Sequence, residues 1–293
     1  MKMIQVIHCA KRQYVLYIIF SHAIINEVFK KLIIFYESEK KMETTNMNLT
    51  GKASIDKPWL KYYPEELHNM ETPKITLEEF LKMKNPDDSK IAFEYYGNKI
   101  TWKTLWEEVD KAAKSLKVLG FGDGNRLPMF LPSTPAHYII LLAAERIGTA
   151  IICRDDIPEE LCFAIRKSKS NTAFVMDYTS KEDEQLFRET TPMTRMIKVS
   201  PYCYADKASV PDYVEKEIAS RYVNPTDSTE GVLTWDEFMA LGENYTEDYR
   251  AERNPDRAVF GAYTSGSTGI SKLVIHSSSN MVAVAFQMSI FIP

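Results

Sequence analysis

Apolar residues along the chain follow two alternating spacings, and together these predict a layered α/β fold. Helical spacing, at three- and four-residue steps, recurs on one face of a segment that Gly120 can end: Leu105, Val109, Ala112, Ala113 and Leu116. Short apolar runs of strand length occupy residues 127–131, 149–153, 172–176 and 258–263. Helical patterns starting at Pro135 and Pro158 separate these runs. Strands alternating with helices predict a doubly wound, mainly parallel sheet with flanking helices.

Smaller elements are predicted from turn and cap residues. A helix starts within residues 75–80, and residues 92–102 form a hairpin that turns at Gly97-Asn98. Thr134 is the expected cap of the helix that begins at Pro135, and Gly148 lies just past its end. Residues 177–256 are mixed and polar. Their charge clusters, such as residues 181–184, are interpreted as solvated helix faces.

The last residues predict a strand and then an apolar helix. Residues 272–276 leave a Ser/Gly-rich loop as a strand, and residues 277–280 offer N-cap candidates for a helix beginning near Met281. Residues 281–291 are largely apolar. We expect this helix to pack against a further part of the protein.

The first 41 residues differ in charge from the rest. They carry seven Lys/Arg and three Asp/Glu, a charge of +4, so the remainder must carry −8 to give the net −4. The apolar run at 14–25 is shorter than the ~20 residues that span a membrane. A signal peptide with a cleavage site at residues 21–23 is one alternative. Another is upstream sequence translated from an early start, with Met42 or Met47 as the true start. We therefore expect residues 1–46 to be an extension outside the core and residues 47–293 to be the domain.

Composition narrows the class of protein. A chain of 293 residues with 45% apolar content can bury one substantial core or two small ones. The net charge of −4 gives no electrostatic reason to expect nucleic acid or an anionic membrane as a partner. The four cysteines show no paired metal-ligand spacing, which favours reduced thiols and a cytoplasmic location. No metal site is predicted.

The strongest candidate for chemistry is the loop after residues 258–263. Gly266 and Gly269 allow positive φ and close approach of an anion to the backbone. Hydroxyl donors come from Thr264, Ser265, Ser267 and Thr268, and Lys272 adds a mobile positive charge. The segment is no Walker A loop, because Ser267 stands where that motif needs lysine. A flexible surface loop is the alternative, but the flanking strand patterns favour an ordered strand–loop–strand that binds phosphate.

The run Thr264-Ser-Gly-Ser-Thr-Gly-Ile-Ser-Lys272-Leu-Val resembles the AMP-binding motif of the adenylate-forming superfamily, whose members include acyl-CoA synthetases and non-ribosomal peptide synthetase adenylation domains. The family normally has proline where this chain has Ser271, so the loop lacks one φ restraint but no donor. Weaker resemblances occur upstream in the family's order: residues 100–106, 119–127, 131–137, 143–148 and 234–238. The similarity runs from about Asp56 to the last residue.

The resemblance implies an ATP- and Mg²⁺-dependent ligase that converts a carboxylic acid to an acyl-adenylate before a thiol acceptor, coenzyme A or a carrier protein, takes the acyl group. It implies that the following residues hold the ATP phosphates: Thr264, Ser265, Gly266, Ser267, Thr268, Gly269 and Lys272. The family's Mg²⁺ ligand, ribose-binding Asp and C-terminal lysine have no counterpart in this sequence, so no residue is assigned a catalytic role. We therefore expect an incomplete N-terminal domain, truncated after the phosphate loop.

Two hypotheses follow from this expectation. The chain is the N-terminal portion of a ligase that needs a separately encoded C-terminal half, or it is a non-catalytic remnant with little activity alone. A membrane-associated interaction protein is a third, weaker alternative.

Overall fold

The computed structural model describes residues 50–153, 157–264 and 272–291. Residues 74–282 form one compact unit. The described residues on either side of it belong to a second unit. In that unit, helix α1 (Ala53–Asp56) is followed by two 3₁₀ turns, Pro58–Tyr62 and Glu65–Leu67. The predicted extension at residues 1–46 lies outside the described residues.

The larger unit opens with a capped helix and a hairpin. Helix α2 (Leu77–Lys84) carries a capping box, in which Thr76 and Glu79 each accept a hydrogen bond from the other's main-chain N–H. Strands β1 (Ile91–Tyr95) and β2 (Asn98–Thr101) pair antiparallel. The hairpin was predicted correctly, but its turn was not, since Tyr96 and Gly97 are the two linking residues and both have positive φ.

The remaining strands form a seven-stranded sheet. They are β3 (Arg126–Met129), β4 (Ala150–Cys153), β5 (Thr172–Met176), β6 (Arg195–Val199), β7 (Val232–Thr234), β8 (Ala258–Tyr263) and β9 (Leu273–Ser277). Their order is β7-β6-β5-β3-β4-β8-β9, and every neighbouring pair is parallel except β8 and β9. Strand β4 lies on one side of β3, and the chain then crosses back to β5, which lies on the other side of β3. The predicted doubly wound, mainly parallel sheet is therefore confirmed.

Helices flank the sheet on both sides. Those of the larger unit, besides α2, are α3 (Trp102–Val118), α4 (Pro135–Ile147), α5 (Pro158–Ser168), α6 (Lys181–Thr190), α7 (Asp212–Arg221) and α8 (Trp235–Ala240). Helix α9 (Ser278–Phe291) begins in this unit and ends in the second. Helix α3 packs on α4, and α5 packs on α6. Crossovers between parallel strands are right-handed. The crossover from β3 to β4 and the crossover from β4 to β5 run in opposite directions along the sheet, so the pair α3 and α4 lies on one face and the pair α5 and α6 on the other. The core between them is apolar and includes Phe174, Phe187 and Phe238.

The helix caps and the buried face of α3 agree with the sequence predictions. All five apolar residues predicted to share a face of α3 are buried. Thr134 Oγ1 accepts the N–H of His137 at the start of α4, and Gly148 ends that helix in the left-handed conformation. Helix α9 begins at Ser278, three residues before the predicted start.

One charged residue departs from the prediction. Glu184 was expected on a solvated face but is only 4% exposed. It lies three residues before Phe187 on α6, and both are buried because they share the face that packs inward. Its Oε1 accepts a hydrogen bond from Arg188 Nε at 2.7 Å, which offsets part of the cost of burying this carboxylate.

Candidate phosphate-binding site

The candidate loop is held at its base by a closed pair of strands. In the pairing of β8 with β9, Phe260 lies opposite His276 and Tyr263 lies opposite Leu273, and the residues between them are in regular register. One position further, the N–H of Thr264 donates to the carbonyl oxygen of Lys272 at 2.9 Å. The N–H of Lys272 donates to Oγ1 of Thr264 at 3.2 Å. These two residues therefore lie side by side at the mouth of the loop.

Of the seven predicted phosphate-binding residues, the structure describes two. Thr264 and Lys272 are both exposed at the carboxyl end of β8. The other five, at 265–269, lie outside the described residues, as does Ser271. Ligands of open α/β sheets bind beyond the carboxyl ends of the strands, and Thr264 and Lys272 lie at such an end.

The stem beneath the loop is anchored in the core. Tyr263 is 5% exposed, and its ring makes an edge-on contact with Phe163 of α5, with centroids 5.6 Å apart. Leu273, on β9, packs against the same apolar cluster. Gly261 lies between β4 and β9, and a Cβ on it would lie 2.8 Å from Ile152 and 3.0 Å from Ile275. Side chains from β4 and β9 therefore leave no room for a side chain at this position of β8, two residues before the strand ends.

A thiol lies near the loop at the same edge of the sheet. Cys153 ends β4 and lies opposite Ala262 of β8. Burial raises the pKa of this thiol to about 12. The raised pKa disfavours the thiolate, which is the reactive form of cysteine, at neutral pH.

The far end of β9 is fixed by a run of three serines. Ser277 Oγ accepts the N–H of Asn280 at 3.2 Å, and Asn280 Oδ1 accepts the N–H of Ser277 at 3.1 Å, so the pair caps α9 reciprocally. Ser278 is 1% exposed and donates its N–H to the carbonyl of Arg257 at 3.1 Å. Ser279 Oγ donates to Asp256 at 2.9 Å.

Ser278 also reaches a buried carboxylate on α4. Glu145 is 7% exposed and accepts the N–H groups of Leu77 and Glu78 at 2.9 and 3.0 Å. It also accepts the Ser278 hydroxyl, and Ser278 Oγ accepts the N–H of Leu77 at 2.6 Å. Burial raises the pKa of Glu145, although these donors oppose the shift. No sequence pattern predicted this cluster; the one local signal is a charged pair, Glu145-Arg146, at the end of a largely apolar helix.

An ion pair beside this cluster joins α4 to α2. Arg146 is 3% exposed at its side chain and donates from Nε and Nη2 to the two oxygens of Glu78, each at 2.8 Å. Burial favours the neutral form of Glu78, but the hydrogen bonds and charge of Arg146, followed by those of Lys82, hold its pKa below the ordinary value. Neighbouring carboxylates on these two helices thus have opposite pKa shifts.

A separate cavity lies at the carboxyl end of β5. Its volume is about 380 Å³. Its apolar lining includes Phe130, Leu161 and Val175, and Glu182, Asp183 and Arg221 are among the charged residues at it. The cavity shares four lining residues with the apolar cluster that holds Tyr263 of the loop stem: Phe130, Leu161, Val175 and Phe187.

Two further properties concern the described residues only. None of the helices there is long and apolar enough to cross a membrane. Within the same residues, no cluster of three or more His, Cys, Asp or Glu side chains could hold a metal ion.

The family model described as AMP-binding enzyme matches residues 82–292. The chain belongs to this family. Its curated relatives include acetyl-coenzyme A synthetases from Shewanella frigidimarina, 26% identical over 193 residues, and from Drosophila melanogaster, 26% identical over 215 residues. These alignments cover 64% and 69% of this chain but only 28% and 30% of those proteins. The chain thus spans less than a third of the length of these relatives.

Solved structures of the family share the fold. The anthranilate CoA ligase AuaEII, crystallised with anthranoyl-AMP, superposes with a TM-score of 0.53 at 14% identity, over 71% of this chain and 36% of that one. Acetoacetyl-CoA synthetase from Streptomyces lividans gives a TM-score of 0.53 at 19% identity, over 73% and 32% of the two chains. The predicted family and the predicted α/β architecture are both confirmed.

Proposed function

We propose that this chain supplies the phosphate-binding part of an ATP-dependent ligase that activates a carboxylic acid as an acyl-adenylate. The observation that supports the proposal is the paired stem, in which Thr264 and Lys272 are joined by two hydrogen bonds at the carboxyl end of the parallel strand β8. Family membership and the acetyl-coenzyme A synthetase relatives support this type of reaction.

The proposed chemistry is nucleophilic substitution at phosphorus. A carboxylate oxygen of the acid attacks the α-phosphorus of ATP, the bond from that phosphorus to the bridging oxygen breaks, and pyrophosphate leaves with the bond electrons. Residues 264–269 and Lys272 would hold the β- and γ-phosphates, and the Lys272 ammonium would offset the charge that accumulates on the leaving group. The proposal includes Mg²⁺ bound to the ATP phosphates, where it would offset part of their charge, and it assigns none of this chain's residues to the ion.

The acyl acceptor in this proposal is a thiol, either coenzyme A or a carrier protein. The relatives' names favour coenzyme A. The chain aligns with less than a third of the length of those relatives. We propose that residues equivalent to the rest of their length, in a C-terminal half, complete the reaction. A non-catalytic remnant that retains only phosphate affinity is the second candidate.

Binding of inorganic pyrophosphate to the full chain, followed by calorimetry, tests the site. Lys272→Met should weaken binding about tenfold and flatten its salt dependence, because it removes a charge from the phosphate contact, whereas Lys272→Arg should retain most of the affinity. Lys103→Met, at an exposed position on α3, is the matched control and should bind as the parent does. Equal losses in both Met variants, or no saturable binding by the parent, would refute the site.

Carboxylate-dependent exchange of pyrophosphate into ATP separates the two candidate functions. We expect no exchange from this chain alone and restored exchange when the complementary half is supplied. Exchange by the purified chain alone would eliminate the remnant hypothesis.

A further inference from the structure

The cavity at the carboxyl end of β5 lies where the direction of the chain through the sheet reverses. Strands β3 and β5 are neighbours, but the chain leaves β3 towards β4 on one side and leaves β5 towards β6 on the other. Phe130, the first residue after β3, and Met176, the last residue of β5, both line the cavity. In open α/β sheets, small-molecule ligands bind at such a reversal, beyond the carboxyl ends of the strands.

The floor of the cavity is apolar and belongs to the packed core. Its volume, about 380 Å³, is near the lower end of the range for small-molecule sites, roughly 300–1,000 Å³. The floor therefore favours a small ligand with an apolar part. Five lining residues are each at most 7% exposed: Phe130, Leu161, Val175, Met176 and Phe187.

The mouth of the cavity is formed by the start of α6 and the segment after α7. The N–H of Lys181 donates to the carbonyl oxygen of Asn224 at 3.0 Å, and Nδ2 of Asn224 donates to Oε1 of Glu182 at 2.7 Å. Val223, beside Asn224, lines the cavity and is 68% exposed. These hydrogen bonds fix the two segments against each other, so the mouth has a defined shape.

Charged groups of both signs line this mouth. Glu182 and Asp183 are in the first turn of α6, and Arg221 is the last residue of α7. Arg221 bonds Glu217 through Nη2 at 3.3 Å. A guanidinium has five N–H donors, so this bond is compatible with a second bond to a ligand carboxylate. The two carboxylates attract a positive group, and the mouth therefore suits a ligand that carries both charges.

We propose that this cavity binds a free α-amino acid with an apolar side chain. The side chain of the ligand occupies the floor, its carboxylate bonds Arg221, and its ammonium group lies beside Glu182 and Asp183. Each charged group of the ligand then has a partner at the mouth, and only apolar atoms enter the core. This site goes beyond the proposed function, which does not require it.

Calorimetric titration of the full chain with probes of matched shape tests the class of ligand. L-Phenylalanine carries both charged groups, hydrocinnamate lacks the ammonium group and phenethylamine lacks the carboxylate; L-leucine replaces the ring by an aliphatic side chain. We expect saturable binding of L-phenylalanine or L-leucine. Hydrocinnamate and phenethylamine should each bind at least tenfold more weakly than the better amino acid, because each loses a charge-assisted contact with the mouth.

Two charge variants locate the site. Arg221→Met should weaken binding of the amino acid about tenfold, because it removes the partner of the carboxylate. Asp183→Asn should weaken it about fivefold, because it removes one of the two charges beside the ammonium group. The matched control is Arg253→Met: Arg253 is similarly exposed and also paired with a glutamate, but it is not among the residues that line the cavity. This control should bind the amino acid as the parent does.

Thermal denaturation of each variant shows whether the fold is retained, and the charge variants are compared with the parent at a temperature where all are folded. The proposal is overturned if neither amino acid gives saturable binding, or if hydrocinnamate or phenethylamine binds as well as the amino acid. Undiminished binding in both Arg221→Met and Asp183→Asn, or an equal loss in Arg253→Met, would also overturn it. Pyrophosphate titration of Arg221→Met should match that of the parent, so failure of the phosphate site and failure of this one are distinguishable.

Discussion

Thr264 and Lys272 are joined by two hydrogen bonds, one from the N–H of Thr264 to the carbonyl of Lys272 at 2.9 Å and one from the N–H of Lys272 to Oγ1 of Thr264 at 3.2 Å. These bonds extend the β8–β9 pairing by one position beyond Tyr263 and Leu273. In the proposed function, this closed pair of residues is the base of the phosphate site.

Thr264→Val should weaken binding of pyrophosphate about fivefold, because the substitution keeps the branched shape and removes the Oγ1 acceptor, a net loss of ~1 kcal/mol. Calorimetric titration of the full chain measures the change. Thr264→Ser keeps the hydroxyl and should bind within about twofold of the parent. If valine and serine variants bind equally, the hydroxyl has no role at the loop base.

Arg146→Met should lower the free energy of unfolding by about 3–5 kcal/mol, because it leaves the half-buried Glu78 carboxylate without its main partner. Urea denaturation measures this loss. Replacing both residues by methionine should recover much of it, since no unpaired charge then remains buried. The control is Arg221→Met, which removes an exposed pair with Glu217 and should cost less than about 1 kcal/mol.

The raised pKa of Glu145 predicts a pH dependence of stability with a defined sign. Above its ordinary pKa of 4.5 the unfolded chain ionises while the folded chain retains the proton, so this group makes the free energy of unfolding fall as pH rises. Glu78, whose pKa is lowered, has the opposite effect: it stabilises the fold above pH 4.5, and this contribution is lost as pH falls through its folded pKa.

Glu145→Gln removes the unfavourable contribution, so its free energy of unfolding should rise more steeply than that of the parent as pH increases from 4.5. Denaturation curves collected across this range measure the slope, which is separate from any constant loss caused by the altered hydrogen bonds. Parallel curves for the two proteins would show that Glu145 titrates as an exposed carboxylate does.

The sequence by itself determined the local elements and the family. Helical periodicity in α3, the Thr134 cap and Gly148 terminator of α4, and the apolar strands each depend on residues close together in the chain, so local pattern was sufficient. The motif at residues 264–272 could also be recognised from the sequence, since its glycines, hydroxyl residues and lysine are contiguous. The hairpin turn was misplaced by one residue because Tyr96 takes a positive φ that its side chain does not predict.

Only the tertiary structure decided which distant residues meet beside the loop stem. Glu145 and Ser278 are 133 residues apart, and Arg146 and Glu78 are 68 apart, so no local pattern links them. The burial of Glu184 and the register shift between Ala258 and Phe260 in the β8–β9 pairing likewise depend on which faces meet after the sheet has assembled. Hydrogen bonds and charges acquire their strength from burial, and burial is a property of the packed molecule and not of a segment.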